Sequence, residues 1–399
     1  MITSAATIRL HRPRAKMRDN HVPRHFLSAN GARVILGGEA TAEGLAQSIV
    51  PSAHTLFGPR GVCLDDNGRL FVCDSGHHRL LIWSHCPSDD QAPADLLIGQ
   101  ADFSREGRNA KREIGPDTLN FPTGVAAADG ILAVADAWNH RVLIWNGYPS
   151  HSNQPANVVL GQADFTSGLA NRGSAVPGRD TLNWCYGIAI CDGRLIVCDT
   201  GNRRVLIWND IPKASGAPAD LVLGQSDFVT RDDNAGSDVC AIGMRWPHGI
   251  ACHDRMLAIS DAGNNRVMMW RNFPELSGTP CDFVLGQDDF ARADHNRSMY
   301  DPSSSAMSMP YGLVVWDDQL VVCDTANSRL LGFDLQELAM DAPATGLAAQ
   351  HSFADKGDNR WRAACRDSLC WPYAASACGK TLAIADTGNN RILLWEKAP

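Results

Sequence analysis

Residues 195–208 read LIVCDTGNRRVLIW, an apolar run, a polar turn from Asp199 to Arg203, and a second apolar run from Arg204 to Trp208. Two apolar runs of strand length joined by turn residues predict a β-hairpin. The string recurs as FVCDSGHHRLLIW at 71–83, LAVADAWNHRVLIW at 132–145, LAISDAGNNRVMMW at 257–270, LVVCDTANSRLLGF at 320–333 and LAIADTGNNRILLW at 382–395. Its aspartates are Asp74, Asp136, Asp199, Asp261, Asp324 and Asp386, at intervals of 62, 63, 62, 63 and 62. An arginine follows five residues after each, and an aromatic residue four further on. Six units in register identify a repeat array, so the length of the chain does not translate into several independent domains.

Working outward from the hairpin, each unit holds four short apolar runs. In the second unit they lie at 124–128, 131–135, 141–145 and 157–160, with a tight turn at Asp129-Gly130. Four antiparallel strands form one blade, and a single blade cannot bury both of its faces, so blades must stack radially. The predicted fold is all-β, a six-bladed β-propeller. The fourth strand ends in Gly-Gln at Gly99-Gln100, Gly161-Gln162, Gly224-Gln225 and Gly286-Gln287, weakened to Ala349-Gln350, each 37 or 38 residues before the next aspartate. The same interval before Asp74 reaches Gly37. The last unit lacks its own fourth strand, and an N-terminal outer strand at 33–37 is expected to supply it and protect the open edge.

The Asp-x-x-Asn-x-Arg core, as in Asp199 to Arg204 or Asp386 to Arg391, resembles the NHL repeat. Six copies resemble an NHL-type six-bladed propeller over residues 33–396. That resemblance implies the fold and not one function, since NHL-like propellers include interaction platforms, RNA-binding domains and metal-dependent lyases. The expected organisation is a basic, flexible arm at 1–32 and a propeller at 33–399.

Composition narrows the classes. Of 399 residues 44% are hydrophobic and 20% charged, with a net charge of −8. No run approaches the ~20 apolar residues that cross a bilayer, and the N-terminus lacks the apolar core of a secretory signal. Residues 1–30 hold six basic side chains against Asp19, a balance of +5 that leaves −13 for the rest. An acidic body is a poor match to nucleic acid, which leaves RNA binding through the arm as a third reading. The thirteen cysteines are odd in number and scattered, several within apolar runs. They read as buried free thiols of a cytoplasmic protein, and Cys365, Cys370 and Cys378 lack zinc-knuckle spacing.

Antiparallel connectivity puts the Asp-to-Arg turns and the long crossovers 104–119, 166–182, 229–244, 291–307 and 354–369 on one face. Variable loops on a rigid scaffold make that face the expected binding surface. The recurring Asp, Asn and Arg read as architecture, and Gly-Gln-x-Asp-Phe as a latch with a buried Phe. Departures from the repeat point to sites. The residue before the glycine that opens the innermost strand is Arg60, Thr123, Tyr186, His248, Tyr311 or Tyr373, a polar aromatic collar at the channel mouth suited to an anionic or planar ligand. Trp138 replaces a small turn residue, and Arg105, Arg108, Lys111 and Arg112 charge the first crossover. His77, His78 and His140 break the turn consensus, with no close metal-ligand spacing. Cys73, Cys198 and Cys323 alternate with small residues.

No serine-nucleophile elbow or phosphate loop appears, so no catalytic residue is assigned. The expected function is a monomeric, non-catalytic binding or scaffold propeller that takes a protein or small ligand on the long-loop face, without a cofactor. The alternative is a metal-dependent lyase or hydrolase with a divalent metal on His248, Tyr186, Tyr311 or Tyr373 as acid/base, and Arg60 holding an anionic substrate.

Overall fold

The computed structural model describes residues 21–38 and 49–399. Alternating apolar runs and turn residues close into six antiparallel sheets around one axis. Blade one comprises Gly61–Leu64, Leu70–Asp74, Arg79–Trp83 and Leu96–Ile98, from channel to rim. Blade two comprises Pro122–Ala128, Ile131–Asp136, Arg141–Asn146 and Val158–Leu160. Blades three, four and five repeat this order from innermost strands Cys185–Cys191, Pro247–His253 and Pro310–Trp316. Blade six takes Pro372–Cys378, Thr381–Asp386 and Arg391–Glu396 from the C-terminal end and Val34–Gly37 from the N-terminal one. Val34 pairs with Leu394 and Gly37 with Arg391, so both ends of the chain fasten the ring in the register expected from the 37-residue interval.

The strands read as nearly continuous apolar runs because both faces of a blade are covered. Buried side chains form six clusters, one at each junction between neighbouring blades. One joins Phe71 and Leu80 of blade one to Leu132 and Trp145 of blade two, and another joins Val34 and Leu394 of blade six to Val72 of blade one. At the channel the innermost strands crowd together. A Cβ on Gly187 would lie 1.8 Å from the His248 carbonyl oxygen, so a side chain there would push two blades apart.

Two expectations change. The sequence reading extends the flexible arm to residue 32, but Arg24–His25 add a parallel fifth strand to blade five beside Gly346–Ala348. Phe26, Leu27 and Ala32 are buried, and Phe26 meets Trp316 edge-on at 6.4 Å. Burial of these side chains and coverage of an exposed sheet edge hold the segment down. The basic residues Arg9 to Arg18, and any nucleic-acid contact through them, lie outside the described residues. The second change concerns the thiols. Eleven cysteines are free, but Cys191 and Cys252 form a disulfide between the innermost strands of blades three and four, with Cα atoms 6.3 Å apart. Their separation of 61 residues is one short of the repeat. Convergence of inner strands at the axis brings such offset positions within bridging distance. This removes the cysteine-based argument for a reducing compartment. Among the described residues no helix is long and apolar enough to cross a membrane.

Candidate functional site: the channel mouth

The repeated polar residues spend their hydrogen bonds on one another. In blade two Asp136 Oδ2 accepts from Asn139 Nδ2 at 2.7 Å and Arg141 Nε at 2.8 Å, while Oδ1 takes the Asn120 backbone N–H. Arg141 also donates to the carbonyls of Gly115, Thr118 and Phe165. Equivalent networks hold Asp199–Arg204, Asp261–Arg266, Asp324–Arg329 and Asp386–Arg391 in full burial. The repeat asparagines also pair amide to amide with crossover asparagines, Asn139 with Asn109 and Asn202 with Asn171. These crossover partners escaped the sequence reading, although each stands 30 or 31 residues before its partner. The latch phenylalanine is buried only at Phe353, and Phe103, Phe165, Phe228 and Phe290 are half-buried. What the latch supplies is backbone, because the Phe carbonyl accepts from the arginine and the Gln amide ties turn to crossover.

The turn histidines serve the same scaffold. His77 replaces the repeat Asn, with Nδ1 2.7 Å from Asp74 Oδ2 and Nε2 2.7 Å from the Ile49 carbonyl. Burial disfavours its charge, but the Asp74 carboxylate outweighs burial and holds the imidazole above its usual range. His78 and His140 close their turns in the left-handed conformation. Each accepts a backbone N–H from the next blade on Nδ1, from Phe121 and Trp184 respectively, at 3.0 Å. Burial pushes both below the usual histidine range, His140 to about 4. Asn265 and Asn390 accept from Met309 and Gly58 in the same way, and Ser328 from Trp371.

Those acceptors hold a second ring that sequence reasoning missed. Phe121, Trp184, Met309 and Trp371, each two residues before a collar residue, adopt φ between 49° and 58°, costly for bulky side chains. Trp246 stands at the same place in blade four, where Arg203 of the preceding turn has no acceptor to offer. The Trp246 N–H turns to Asp261 Oδ1 instead, and its φ is not left-handed. Trp184, Trp246 and Trp371 remain 50%, 42% and 37% exposed. The signal was present in the sequence as a large apolar residue two before each collar position: Phe121, Trp184, Trp246, Met309 and Trp371. Blade one obscures it, because Phe57 sits one residue earlier and Gly58 takes the place.

Inside this crown the structure brings the collar together. Tyr186 and His248 have ring centroids 4.7 Å apart, His248 stacks on Tyr311 at 4.3 Å, and Tyr311 meets Tyr373 at 4.6 Å. The Arg60 guanidinium carbon lies 4.5 Å from the Tyr373 ring, 4.9 Å from Phe121 and 5.9 Å from Tyr186. It reaches Tyr186 across blade two because Thr123 is short and turns its hydroxyl to the Cys185 and Tyr186 carbonyls. All six collar residues line a cavity of about 320 Å³ that runs down the channel past the Cys191–Cys252 bridge. Of the first-crossover residues only Arg108 joins this array, 5.2 Å from the Trp138 ring, which stacks on Phe121 at 4.7 Å. Arg112 pairs with Asp117 at 2.5 Å and Arg105 lies 3.9 Å from Asp102, so their charges are matched within their own loop.

His248 donates from Nδ1 to the Trp246 carbonyl at 3.0 Å. Burial lowers it to about 4, the carbonyl opposes this, and the Arg60 charge adds to it, so the ring is neutral at pH 7 with Nε2 bare. Burial raises Tyr186 and Tyr311, keeping both hydroxyls protonated. Among the described residues no group of three or more His, Cys, Asp or Glu converges on one point. One imidazole nitrogen beside neutral phenols and a guanidinium does not fit a divalent metal, and no step is derived through one. Cys73, Cys198 and Cys323 are buried, with thiols pushed up by burial, and pack behind Gly61, Gly187 and Gly312 as small core residues.

A closed six-bladed propeller with a capped axial channel is thus the class of protein that fold and site define. The NHL repeat family matches residues 58–83 and 119–145, in blades one and two. Blades one and two thus carry NHL repeats, and the chain folds as a six-bladed β-propeller whose other blades repeat the same Asp-to-Arg turn. It is 34% identical over 103 residues to NHL repeat-containing protein 2 of Homo sapiens and 32% identical over the same length to that of Bos taurus. Each match covers 25% of this chain and 12% of the relative. A solved Bacteroides thetaiotaomicron protein of unknown function shares the fold, with a TM-score of 0.53 at 12% identity over 88% of this chain and 73% of that one.

Proposed function

We propose that this chain is a non-catalytic binding propeller that engages a protein partner through its long-loop face. The distribution of exposed apolar side chains carries the reading. Apart from Val22 and Leu276, every large apolar residue that is exposed among the described ones lies between the outermost strand of one blade and the innermost strand of the next, on that face. They include Trp184, Trp246, Trp361 and Trp371 around and beside the channel mouth. Contiguous exposed apolar surface on a folded monomer marks an interaction site, and tryptophan is over-represented among the residues that dominate binding energy. The repeated Asp, Asn and Arg residues are consumed by the scaffold and supply no reactive group.

The test pairs a Trp184→Ala/Trp246→Ala variant with Leu276→Ala on the opposite face, each used as bait beside the parent protein. The double variant should lose at least tenfold in recovery of the partner that the parent captures, since each anchor contributes about 1–2 kcal/mol or more. Leu276→Ala should retain it. Charge reversal at Arg108 should weaken capture, whereas reversal at the paired Arg112 should do little. Equal recovery by the double variant and the parent would place the interface elsewhere. Light scattering of the free protein separates a second copy of this chain from a different partner.

A further inference from the structure

We infer that the channel mouth is a binding site for a small, flat aromatic carboxylate, its carboxylate held by Arg60 and its ring seated in the cavity beneath the collar. This rests on the binding reading above and names a ligand class for the same face. Three observations carry it.

The first is charge. Each repeat arginine, from Arg79 to Arg391, has an aspartate partner within 3.0 Å. Arg60 has no carboxylate partner among the described residues; it lies against the rings of Phe121, Tyr186 and Tyr373, with the Tyr186 hydroxyl as a neutral hydrogen-bond partner. The other collar groups are Thr123, a neutral imidazole and phenols. The six-residue collar therefore bears one positive charge, that of Arg60, in a protein of net charge −8, where the low-dielectric walls strengthen its field.

The second is geometry. A guanidinium stacked over rings keeps its N–H groups in its own plane, where they match the two oxygens of a carboxylate. Rings lie against its faces and the Tyr186 hydroxyl takes one donor, so the remaining N–H groups of the edge are what recognises a ligand. His248 Nε2 and the phenolic hydroxyls add neutral donors and acceptors around it.

The third is shape. Beneath the collar the cavity of about 320 Å³ is lined by glycine, alanine, valine and isoleucine, Gly124, Ala126, Ile188 and Val314 among them. An apolar cleft with a few convergent polar groups takes a ligand with an apolar body and one polar end. The volume suits one or two fused rings. The tight spacing of the collar, with His248 and Tyr311 13° from parallel, favours a flat body over a bulky one.

The experiment titrates the full chain calorimetrically with 2-naphthoate, using 2-naphthamide and 2-naphthylmethylamine as probes of equal shape. Saturable one-site binding of the carboxylate is expected, at least about tenfold tighter than the amide, because a charge-assisted bidentate pair replaces a neutral hydrogen bond. The amine should not bind. Arg60→Gln should weaken naphthoate by at least about tenfold with little change in the melting temperature of the free protein, and Arg60→Lys should fall between. If Arg60→Gln fails to fold, the comparison rests on Arg60→Lys and on the three probes with the parent chain. Equal affinity for carboxylate and amide, undiminished naphthoate binding in the Arg60 variants, or no binding at about 10 mM probe would overturn the inference. If naphthoate fails while the tryptophan variant still loses its partner, the ligand class falls and the binding-platform reading stands.

Discussion

His140 makes the crown of blade three pH-sensitive, and the repeat supplies its own control. The Trp184 N–H is held by the Nδ1 lone pair of His140, an acceptor that exists only on the neutral ring. Burial lowers the ring to about 4 from an ordinary 6.5. A group depressed in the folded state contributes stability that is complete above the unfolded value and is lost as pH falls through the window between the two. Between pH 7 and pH 5 the linkage amounts to at most about 2 kcal/mol, which partial exposure of the ring trims to about 1–2 kcal/mol. A chain of this size has an unfolding entropy near 0.8 kcal/mol/K, so the melting temperature should drop by about 1–3 °C from this one histidine. Asn265 and Asn390 do the same work with an amide oxygen that does not titrate here. His140→Asn should therefore keep the bond at pH 7 and remove this share of the acid loss, while every other histidine contributes equally to both proteins. Scanning calorimetry of the two at pH 5, 6, 7 and 8 measures the difference. Parallel melting curves across that range would refute the reasoning.

The buried ion pairs give a sharper perturbation. Asp324→Ala leaves the Arg329 charge without its partner and removes the acceptor of three N–H groups, so about 3–5 kcal/mol, or roughly 4–6 °C in melting temperature, should be lost. An Asp324→Leu/Arg329→Met variant should not recover it, because the carbonyls of Ser303, Ala306 and Phe353 lose their donor as well, and recovery in thermal melts would mean that those bonds contribute little. The Cys191–Cys252 bridge is checked by counting: denatured protein should present eleven reactive thiols before reduction and thirteen after.

The fold was legible because the repeat carries its own register. Aspartates at 62 or 63 residues set the blades, and one interval too many at the N-terminus set the closing strand, found at Val34–Gly37. The collar was legible for the same reason, since its six residues share one place in the repeat. What escaped depends on relations between blades or on departures from the period. The Cys191–Cys252 pair is offset by one residue, so alignment of the copies does not bring it into view. The crown was hidden by blade one, and its conformation is set by a turn residue of the preceding blade, some 44 positions upstream. The docking of Phe26 and Leu27 leaves no periodic trace, because that segment lies outside the repeat.

Symmetry also explains why function should be sought at the mouth and not in the repeated motif. A six-fold ring lined by identical residues would carry six equal charges or none, and neither discriminates between ligands. Arg60, Thr123 and His248 break that equivalence here, and the first two decide the charge. Arginine at position 60 introduces the charge, and threonine at position 123 clears the space beside it. With a tyrosine at 123, as blades three, five and six carry at the equivalent place, the path from Arg60 to Tyr186 would be filled. The guanidinium would then be cut off from the Tyr186 ring and hydroxyl. Because Thr123 also ties its hydroxyl to the inner strand of blade three, the gap is built into the backbone contacts. The collar's own cation is thus held by asymmetry between blades one, two and three, and the remaining blades complete the ring that surrounds whatever it binds.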